Sequence, residues 1–207
     1  LSFAIHRKFP FRKVPFYVVS QLVGAILAAA TLYVLFDNII QHFEGTFGVI
    51  RGAPGSELSA MIYGCYFPNP AIAKAMAWDP GVINSVQAMI AEGVGTAFLA
   101  FFVFSVTDPR NYRRPGERLM PVFAGLALAI IMVIVAPLTQ ASLNPARDFG
   151  PRLFALLAGW EEIAIPGPKG GWFTVYVLSP VIGSLVGSAV YEYLVRPGIQ
   201  TAGQPAV

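Results

Sequence analysis

The chain has 207 residues, of which 56% are hydrophobic and only 12% are charged, whereas soluble domains carry about 25% charged residues. Together with a mean hydropathy of +0.62 and 13% aromatic residues, this composition is typical of a protein with several membrane spans. The net charge of +3 lies in short clusters, which argues against a nucleic-acid-binding surface, and the single Cys65 excludes an internal disulfide and a cysteine-based metal site.

The start of the chain predicts its orientation. It begins with Leu1 rather than Met and has no signal-peptide pattern, so we expect a fragment of a longer protein. The first residues carry a basic group that marks the cytoplasmic side: His6, Arg7, Lys8, Arg12 and Lys13. An uncharged run from Phe16 to Phe36 is long enough to cross a bilayer. The mixed connection that follows, from Asp37 to Gly81, suits the outer side because it lacks the basic bias.

Three further spans complete the predicted topology. The second runs from Val82 to Val106 with Glu92 as its only charge, and the loop Thr107 to Arg118 then carries four arginines, a second cytoplasmic signal. The remaining spans cover Leu119 to Pro137 and Phe173 to Val195. Four spans that start inside also end inside, so both termini are predicted to be cytoplasmic.

Between the last two spans lies a shorter apolar segment, from Asn144 to Ala158. Asn144 is a good helix N-cap, Pro145 suits the first helical position, and Gly159 is a plausible C-cap. Such a helix would be about 22 Å long, too short for a hydrocarbon core of about 30 Å. Because the charge bias puts the flanking loops outside, we predict a re-entrant half-helix that enters from the outer side and has one end near the midplane.

The start of this half-helix has the chemistry of a solute path. The preceding segment, Leu138 to Ser142, must be irregular backbone, which is tolerated at membrane depth only inside protein or beside water. Free carbonyls, the helix N–H groups and Arg147 would offer acceptors and donors to a neutral hydroxylic solute, while their positive charge opposes cations and protons. An alternative interpretation of Arg147 is an ion pair with Asp148 that only caps the helix.

Glu92 also admits more than one interpretation. We favour a supporting role, in which its carboxylate holds the loop before Asn144 in shape. A secondary active transporter, with saturable and gradient-coupled uptake, is an alternative. A membrane-embedded enzyme would need convergent catalytic groups, but His6 and His42 lie in end or loop regions and no HExxH or GxSxG motif occurs. We therefore predict passive facilitated diffusion, with no cofactor and no metal ion.

The motif NPARDFGPR resembles the second signature of the aquaporin family, also called the major intrinsic proteins, and Asp148 after the signature Arg147 resembles the glycerol-facilitator branch. Other segments resemble the family's third, fourth and sixth spans: SQLVGAILAA, AEGVGTAFLAF and SPVIGSLVGSAVY. The resemblance implies an all-α membrane protein with an aquaporin-like right-handed helical bundle. Residues 1–207 would form one partial channel domain of four spans and one half-helix, with Leu1 to Ile5 as the tail of another half-helix. The resemblance also implies a homotetramer, and we expect the protein in the plasma membrane.

The resemblance further implies which residues line the pore: Asn144, Pro145, Ala146 and Arg147. By family spacing, two more filter positions fall at Ala141 and Met132. Water-only members usually have His at the Met132 position, and typical glycerol facilitators have an aromatic residue and Gly at these two positions, so this chain departs from both. We expect an apolar filter that passes glycerol, small neutral polyols or urea, and some water. A water-selective channel is the alternative, disfavoured by Asp148 and by the missing His.

A second Asn-Pro-Ala, from Asn69 to Ala71, is interpreted as a surface turn outside the pore. Lys74, Asp79 and Pro80 follow it, and no apolar half-helix of useful length does.

Overall fold

A computed structural model describes residues 1–199, so residues 200–207 of the predicted domain lie outside the described residues. Within the described part, four helices are long and apolar enough to cross a bilayer: Phe11–Phe47, Ser85–Thr107, Met120–Thr139 and Thr174–Gly198. The α-helices in chain order are α1 (Ser2–Ile5), α2 (Val14–Phe47), α3 (Glu57–Ala60), α4 (Pro70–Ala75), α5 (Ser85–Thr107), α6 (Met120–Thr139), α7 (Pro145–Ala155), α8 (Glu161–Ala164) and α9 (Ser179–Val190). Within the last span, π-helical turns flank α9 at Thr174–Leu178 and Tyr191–Val195.

Helix α2 continues beyond the apolar run that predicted it. Its 34 residues correspond to a length of about 50 Å. The mixed connection expected from Asp37 to Gly81 therefore begins only after Phe47, and His42 lies in the helix and not in a loop. Arg51 binds this extension: its Nη2 donates to Asp37 at 3.2 Å and to Glu44 at 2.9 Å. Arg51 thus gives Asp37 and Glu44 an ionic partner, and the helix continues through this polar segment.

The order of the four spans places the connections on two faces. Residues 1–13, 108–119 and 196–199 share one face, which we call the basic face. Residues 48–84 and 140–173 share the other, which we call the loop face. Since the chain leaves α6 and starts the last span on the loop face, α7 must begin and end its excursion there.

Helix α7 inserts into the bundle beside α2. Gly150 lies so close to α2 that a Cβ atom there would be 2.7 Å from Ala25 Cβ and 3.2 Å from the Leu22 carbonyl oxygen. Leu22 and Ala25 belong to the apolar part of α2, so α7 lies at the depth of the spans. A buried cluster on the loop side of this contact joins Ala29 and Ile40 of α2 to Trp160.

Helix α5 and the last span pack through small residues, among them Gly183 and Gly187. A Cβ atom at Gly183 would overlap the carbonyl oxygen of Gly93, and one at Gly187 would overlap the carbonyl oxygen of Ala97. Such close backbone approach is typical of helix pairs in membranes. These two glycines therefore fix the distance between α5 and the last span.

The same two helices are joined at the basic face by Asp108. Its carboxylate accepts hydrogen bonds from Arg196 Nε at 2.8 Å, from the Tyr191 hydroxyl at 3.1 Å and from the Arg110 backbone N–H at 3.0 Å. Burial alone raises the pKa of Asp108, but these donors and the charge of Arg196 outweigh it, so the pKa lies below its ordinary value. The aspartate is therefore held in its charged form.

We expect Gly187→Ala to destabilise the fold, because the added methyl group overlaps the backbone of Ala97 and overpacking costs about 1–3 kcal/mol or more. The check is the thermal unfolding temperature of purified protein in detergent. Gly125→Ala is the matched control, since a Cβ atom at Gly125 in α6 meets nothing within 4 Å. Equal unfolding temperatures for the two variants would contradict the packing described here.

Candidate functional site

One carboxylate holds the segment that leads into α7. Glu92, fully buried on α5, accepts hydrogen bonds from Thr139 Oγ1 at 2.6 Å and from the backbone N–H groups of Ser142 at 2.9 Å and Leu143 at 2.7 Å. The two backbone N–H groups can only donate, so this position requires acceptor oxygens. The Glu92 carboxyl group supplies them at the loop before Asn144.

The loop requires this support because its backbone is strained. Gln140, Ala141 and Leu143 have φ angles of 64°, 53° and 55°, in the left-handed region that costs residues with a Cβ atom about 1–2 kcal/mol each. Helix α6 continues to Thr139, so the irregular segment is shorter than the predicted Leu138 to Ser142 at its start. The bonds from Ser142 and Leu143 to Glu92 offset the strain.

Gln140 ties this loop to the connection between α2 and α5. Its Oε1 accepts from the Tyr66 backbone N–H at 2.8 Å, and its Nε2 donates to the Met61 carbonyl oxygen at 3.2 Å. Sequence reasoning missed this residue. The only available signal was an amide side chain directly after a long apolar run.

Asn144 caps α7 as predicted from its residue type. Its Oδ1 accepts from the Ala146 backbone N–H at 3.0 Å, and Pro145 occupies the first turn, where a missing N–H costs nothing. The α-helix ends at Ala155, earlier than the expected Ala158, and continues as a π-helical turn to Trp160 in which Gly159 has a φ of 99°. Helix α7 is therefore a half-helix of 11 residues, about 16 Å long.

Asp148 does not pair with Arg147, so the alternative interpretation of these neighbours is wrong. The Asp148 carboxylate accepts from Arg152 Nε at 2.6 Å and from the Cys65 backbone N–H at 2.6 Å. Arg152 also donates to the carbonyl oxygens of Cys65 and Ala164. This fully buried pair thus joins α7 to the segment around Cys65, and the spacing of four residues between opposite charges was the signal that could have found it.

The Arg147 side chain extends to the other side of Cys65. Its Nη1 contacts Cys65 Sγ, and Cys65 itself is fully buried. Burial raises the pKa of the Cys65 thiol, and the charge of Asp148 raises it further. The thiol therefore stays protonated, and Arg147 keeps an uncompensated positive charge at this point.

A cavity of about 330 Å³ lies between α2 and α7. The start of α7 contributes Asn144, Ala146 and Arg147 to its wall, and α2 contributes small residues together with the Gln21 amide. The cavity thus has the helix N-terminus and a guanidinium on one side and mostly apolar surface on the other. Such a space can hold a small solute that hydrogen-bonds without carrying charge.

The other predicted filter residues lie elsewhere. Ala141 is buried in an apolar cluster with Val135 and Leu143, and Met132 packs against the same cluster. Neither is among the residues that line the cavity beside Arg147. The structure therefore brings together Asn144, Ala146 and Arg147, and the filter roles of Ala141 and Met132 stay a prediction.

The segment Asn69 to Ala71 needs a correction, because it is more than a surface turn. Asn69 caps α4 by accepting from the backbone N–H groups of Ala71 and Ile72, and its Nδ2 donates to the Ala136 carbonyl oxygen at 3.0 Å. Pro70 is buried. The segment docks the connection between α2 and α5 onto the end of α6, where the Ala136 carbonyl oxygen also accepts from the Gln140 backbone N–H at 2.9 Å.

Comparison with known proteins finds a matching family and a similar fold. The family model described as Major intrinsic protein matches residues 1–191. A glycerol uptake facilitator protein of Pseudomonas aeruginosa is 35% identical over 94% of this chain, and one of Escherichia coli K12 is 39% identical over 89% of it. A propanediol uptake facilitator of Citrobacter freundii is 36% identical over 90% of the chain. The chain spans 66%, 61% and 65% of the lengths of these three relatives.

The solved aquaglyceroporin structure from Plasmodium falciparum aligns with a TM-score of 0.75 at 21% identity, covering 95% of this chain and 70% of that one. At 21% sequence identity, this structural similarity shows the fold alone. The described residues thus adopt an aquaporin-like all-α fold with four apolar spans.

Replacing Glu92 with glutamine is expected to destabilise the loop. A glutamine presents an NH₂ donor where one carboxylate oxygen now accepts, so at least one of the Thr139, Ser142 and Leu143 donors loses its partner, at a cost of about 1–3 kcal/mol. Thermal unfolding in detergent measures the effect, with Glu117→Gln in the exposed loop of the basic face as the control. Identical unfolding curves for both variants would mean that Glu92 does not support the loop.

Proposed function

Because this chain belongs to the major intrinsic protein family, we propose that it serves as a membrane channel for passive diffusion of glycerol and other small uncharged solutes, with some water. The main support for the proposal is the start of α7, where Asn144 and Arg147 line the cavity between α2 and α7. A helix N-terminus carries about half a positive charge, and Arg147 adds a full one. Cations are repelled there, while a hydroxyl group finds donors and an acceptor.

The substrate class also draws on the relatives. Of the three relatives described above, two are named for glycerol uptake and one for propanediol uptake. Small polyols are uncharged, and their hydroxyl groups both donate and accept hydrogen bonds. They fit a cavity with polar groups on one wall and small apolar side chains on the other. Urea and small neutral polyols in general belong to the same class.

The contacts of Glu92 weigh against a secondary active transporter. Three donors already bind its two oxygens, which leaves the carboxylate little capacity for a coupling ion or proton. An enzymatic role has equally little support, because Cys65 is buried and held as a thiol, while His6 contacts Ser188 and aromatic rings at the basic face. Passive diffusion requires no coupling-ion site, no catalytic side chain and no cofactor.

The chain is a multi-pass membrane protein, and its finer placement belongs to the proposal. We place the basic face in the cytoplasm because Arg7, Lys8, Arg12 and Lys13 lie there with the arginines of the 108–119 loop. Both termini are then cytoplasmic, and α7 enters from the outside. The plasma membrane and a homotetramer with one pore per subunit complete the proposal, on the basis of the family resemblance.

The direct test is stopped-flow light scattering of proteoliposomes that contain the full-length protein, with glycerol, urea and water compared. We expect glycerol-driven reswelling well above that of empty liposomes and without dependence on an ion gradient. Ala146→Trp should abolish it by filling the cavity, while Ala75→Trp on the exposed side of α4 should not. Fast water flow without glycerol influx would instead favour the water-selective alternative, and gradient-coupled, saturable uptake would favour a transporter.

Arg147→Val is expected to raise proton leak through the protein. At about 4 Å and an effective dielectric constant of 20, one charge opposes another by about 4 kcal/mol, so its removal should increase the leak by at least about tenfold. A pH-sensitive dye inside proteoliposomes measures this leak, with Arg118→Val in the exposed loop as the control. An unchanged proton leak would show that Arg147 does not exclude protons from the solute path.

A further inference from the structure

The apolar run of α2 contains one amide side chain without a partner. Besides two tyrosines, the run from Phe16 to Phe36 has three polar residues, Ser20, Gln21 and Thr31. The hydroxyl groups of Ser20 and Thr31 donate to carbonyl oxygens one turn earlier in the helix, at 2.8 Å and 2.9 Å, whereas the Gln21 amide makes no hydrogen bond within residues 1–199. At membrane depth an amide without a partner is costly, because the hydrocarbon offers neither donors nor acceptors.

Gln21 lies on the face of α2 that borders the cavity beside Arg147. Spacings of three and four residues place the α2 residues that line this cavity on one face of the helix. These residues are Gln21, Ala25, Ala28, Ala29 and Leu32. Ser20 and Thr31 are not among them. Because Gln21 is exposed and lines the cavity, its amide is accessible to a small molecule there.

The depth of Gln21 in the bundle is similar to that of Arg147. Helices α2 and α7 contact each other at Ala25 and Gly150, and both run from this contact toward the loop face, where a buried cluster joins them. Gln21 lies four residues before Ala25, which corresponds to about 6 Å along the helix axis. Arg147 lies three residues before Gly150, or about 4.5 Å. Both residues are thus on the inner side of the contact, on different walls of the same cavity.

The two walls differ in what they offer to a hydroxyl group. Arg147 has donors only, and Asn144 Oδ1 already accepts from the Ala146 backbone N–H at 3.0 Å. A solute hydroxyl that accepts from Arg147 still has its own proton to donate. On the α2 wall, the described lining residues other than Gln21 have aliphatic side chains. Gln21 Oε1 is therefore the side-chain acceptor that this wall provides.

We infer that Gln21 is a solute-binding residue of the path and accepts a hydrogen bond from the hydroxyl group of a passing polyol. This role rests on the function proposed above and adds a residue that selects for solutes with hydroxyl groups. A water molecule without the Gln21 acceptor can donate to a second water molecule instead. A polyol fills more of the cavity with its carbon atoms, so its hydroxyl groups depend on the wall. Gln21 therefore favours polyols over water.

The experiment compares Gln21→Met with the unaltered full-length protein in proteoliposomes, with stopped-flow light scattering for glycerol and for water. Methionine has a similar length but lacks the strong acceptor oxygen of an amide. We expect glycerol permeability to fall about fivefold or more, because a donor in the path loses its partner, while water permeability stays within about twofold. Thr31→Val is the matched control, since it removes a hydroxyl group from the same span outside the cavity, and it should change neither permeability.

Thermal unfolding in detergent separates solute binding from a structural role. Replacing an amide without a partner by an apolar side chain of similar shape should leave the unfolding temperature unchanged or raise it. A lower unfolding temperature with equal losses of glycerol and water permeability would mean that Gln21 supports the fold, and would overturn the inference. Equal losses at an unchanged unfolding temperature, or an equal loss of glycerol permeability in Thr31→Val, would overturn it as well.

The same measurements distinguish this role from the proposed function. If the unaltered protein conducts no glycerol, the proposed function and the role of Gln21 both fail. If the unaltered protein and Gln21→Met conduct glycerol equally well, the role of Gln21 alone is contradicted.

Discussion

The hydrogen bonds to the Glu92 carboxylate hold the loop from which α7 begins. The carboxylate joins the middle of α5 to the loop between α6 and α7, and every one of its partners is a donor. Water cannot replace it at membrane depth, where an unsatisfied backbone N–H costs several kcal/mol. Without the carboxylate, the left-handed backbone at Ala141 and Leu143 would have no compensation, and Asn144 would lose its position at the start of α7.

A second set of bonds fixes the opposite side of α7. The Asp148–Arg152 pair holds the backbone of Cys65 by both its N–H and its carbonyl oxygen, and Gln140 holds the backbone at Tyr66 and Met61. These bonds hold the connection between α2 and α5 against α7, although most of this connection is irregular. Of the two arginines, Arg152 is paired with Asp148, whereas Arg147 has no carboxylate partner within residues 1–199. The charge of Arg147 therefore dominates the electrostatics of the cavity.

Much of this architecture could be predicted from the sequence, because bilayer physics leaves few options. Runs of apolar residues indicate the spans, the arginine-rich segments indicate which connections share a face, and Asn144-Pro145 marks the start of the half-helix. The extension of α2 to Phe47 could not be predicted, since it depends on Arg51, which approaches Asp37 and Glu44 only after the chain has turned. The roles of Cys65, Gln140 and Arg152 likewise depend on long-range contacts for which the local pattern gives little or no sign. Asn69 was misjudged because its partner is a carbonyl of α6.

The support that Glu92 gives to the loop can be tested by hydrogen exchange at the backbone N–H groups of Ser142 and Leu143, measured by mass spectrometry on the full-length protein in nanodiscs. If Glu92 holds the loop, these two amides are protected to the level of the α5 amides. That protection falls by at least about tenfold in Glu92→Gln while the amides of α5 stay unchanged. Rapid exchange of both amides in the unaltered protein, or equal protection in the variant, would show that Glu92 does not hold the loop.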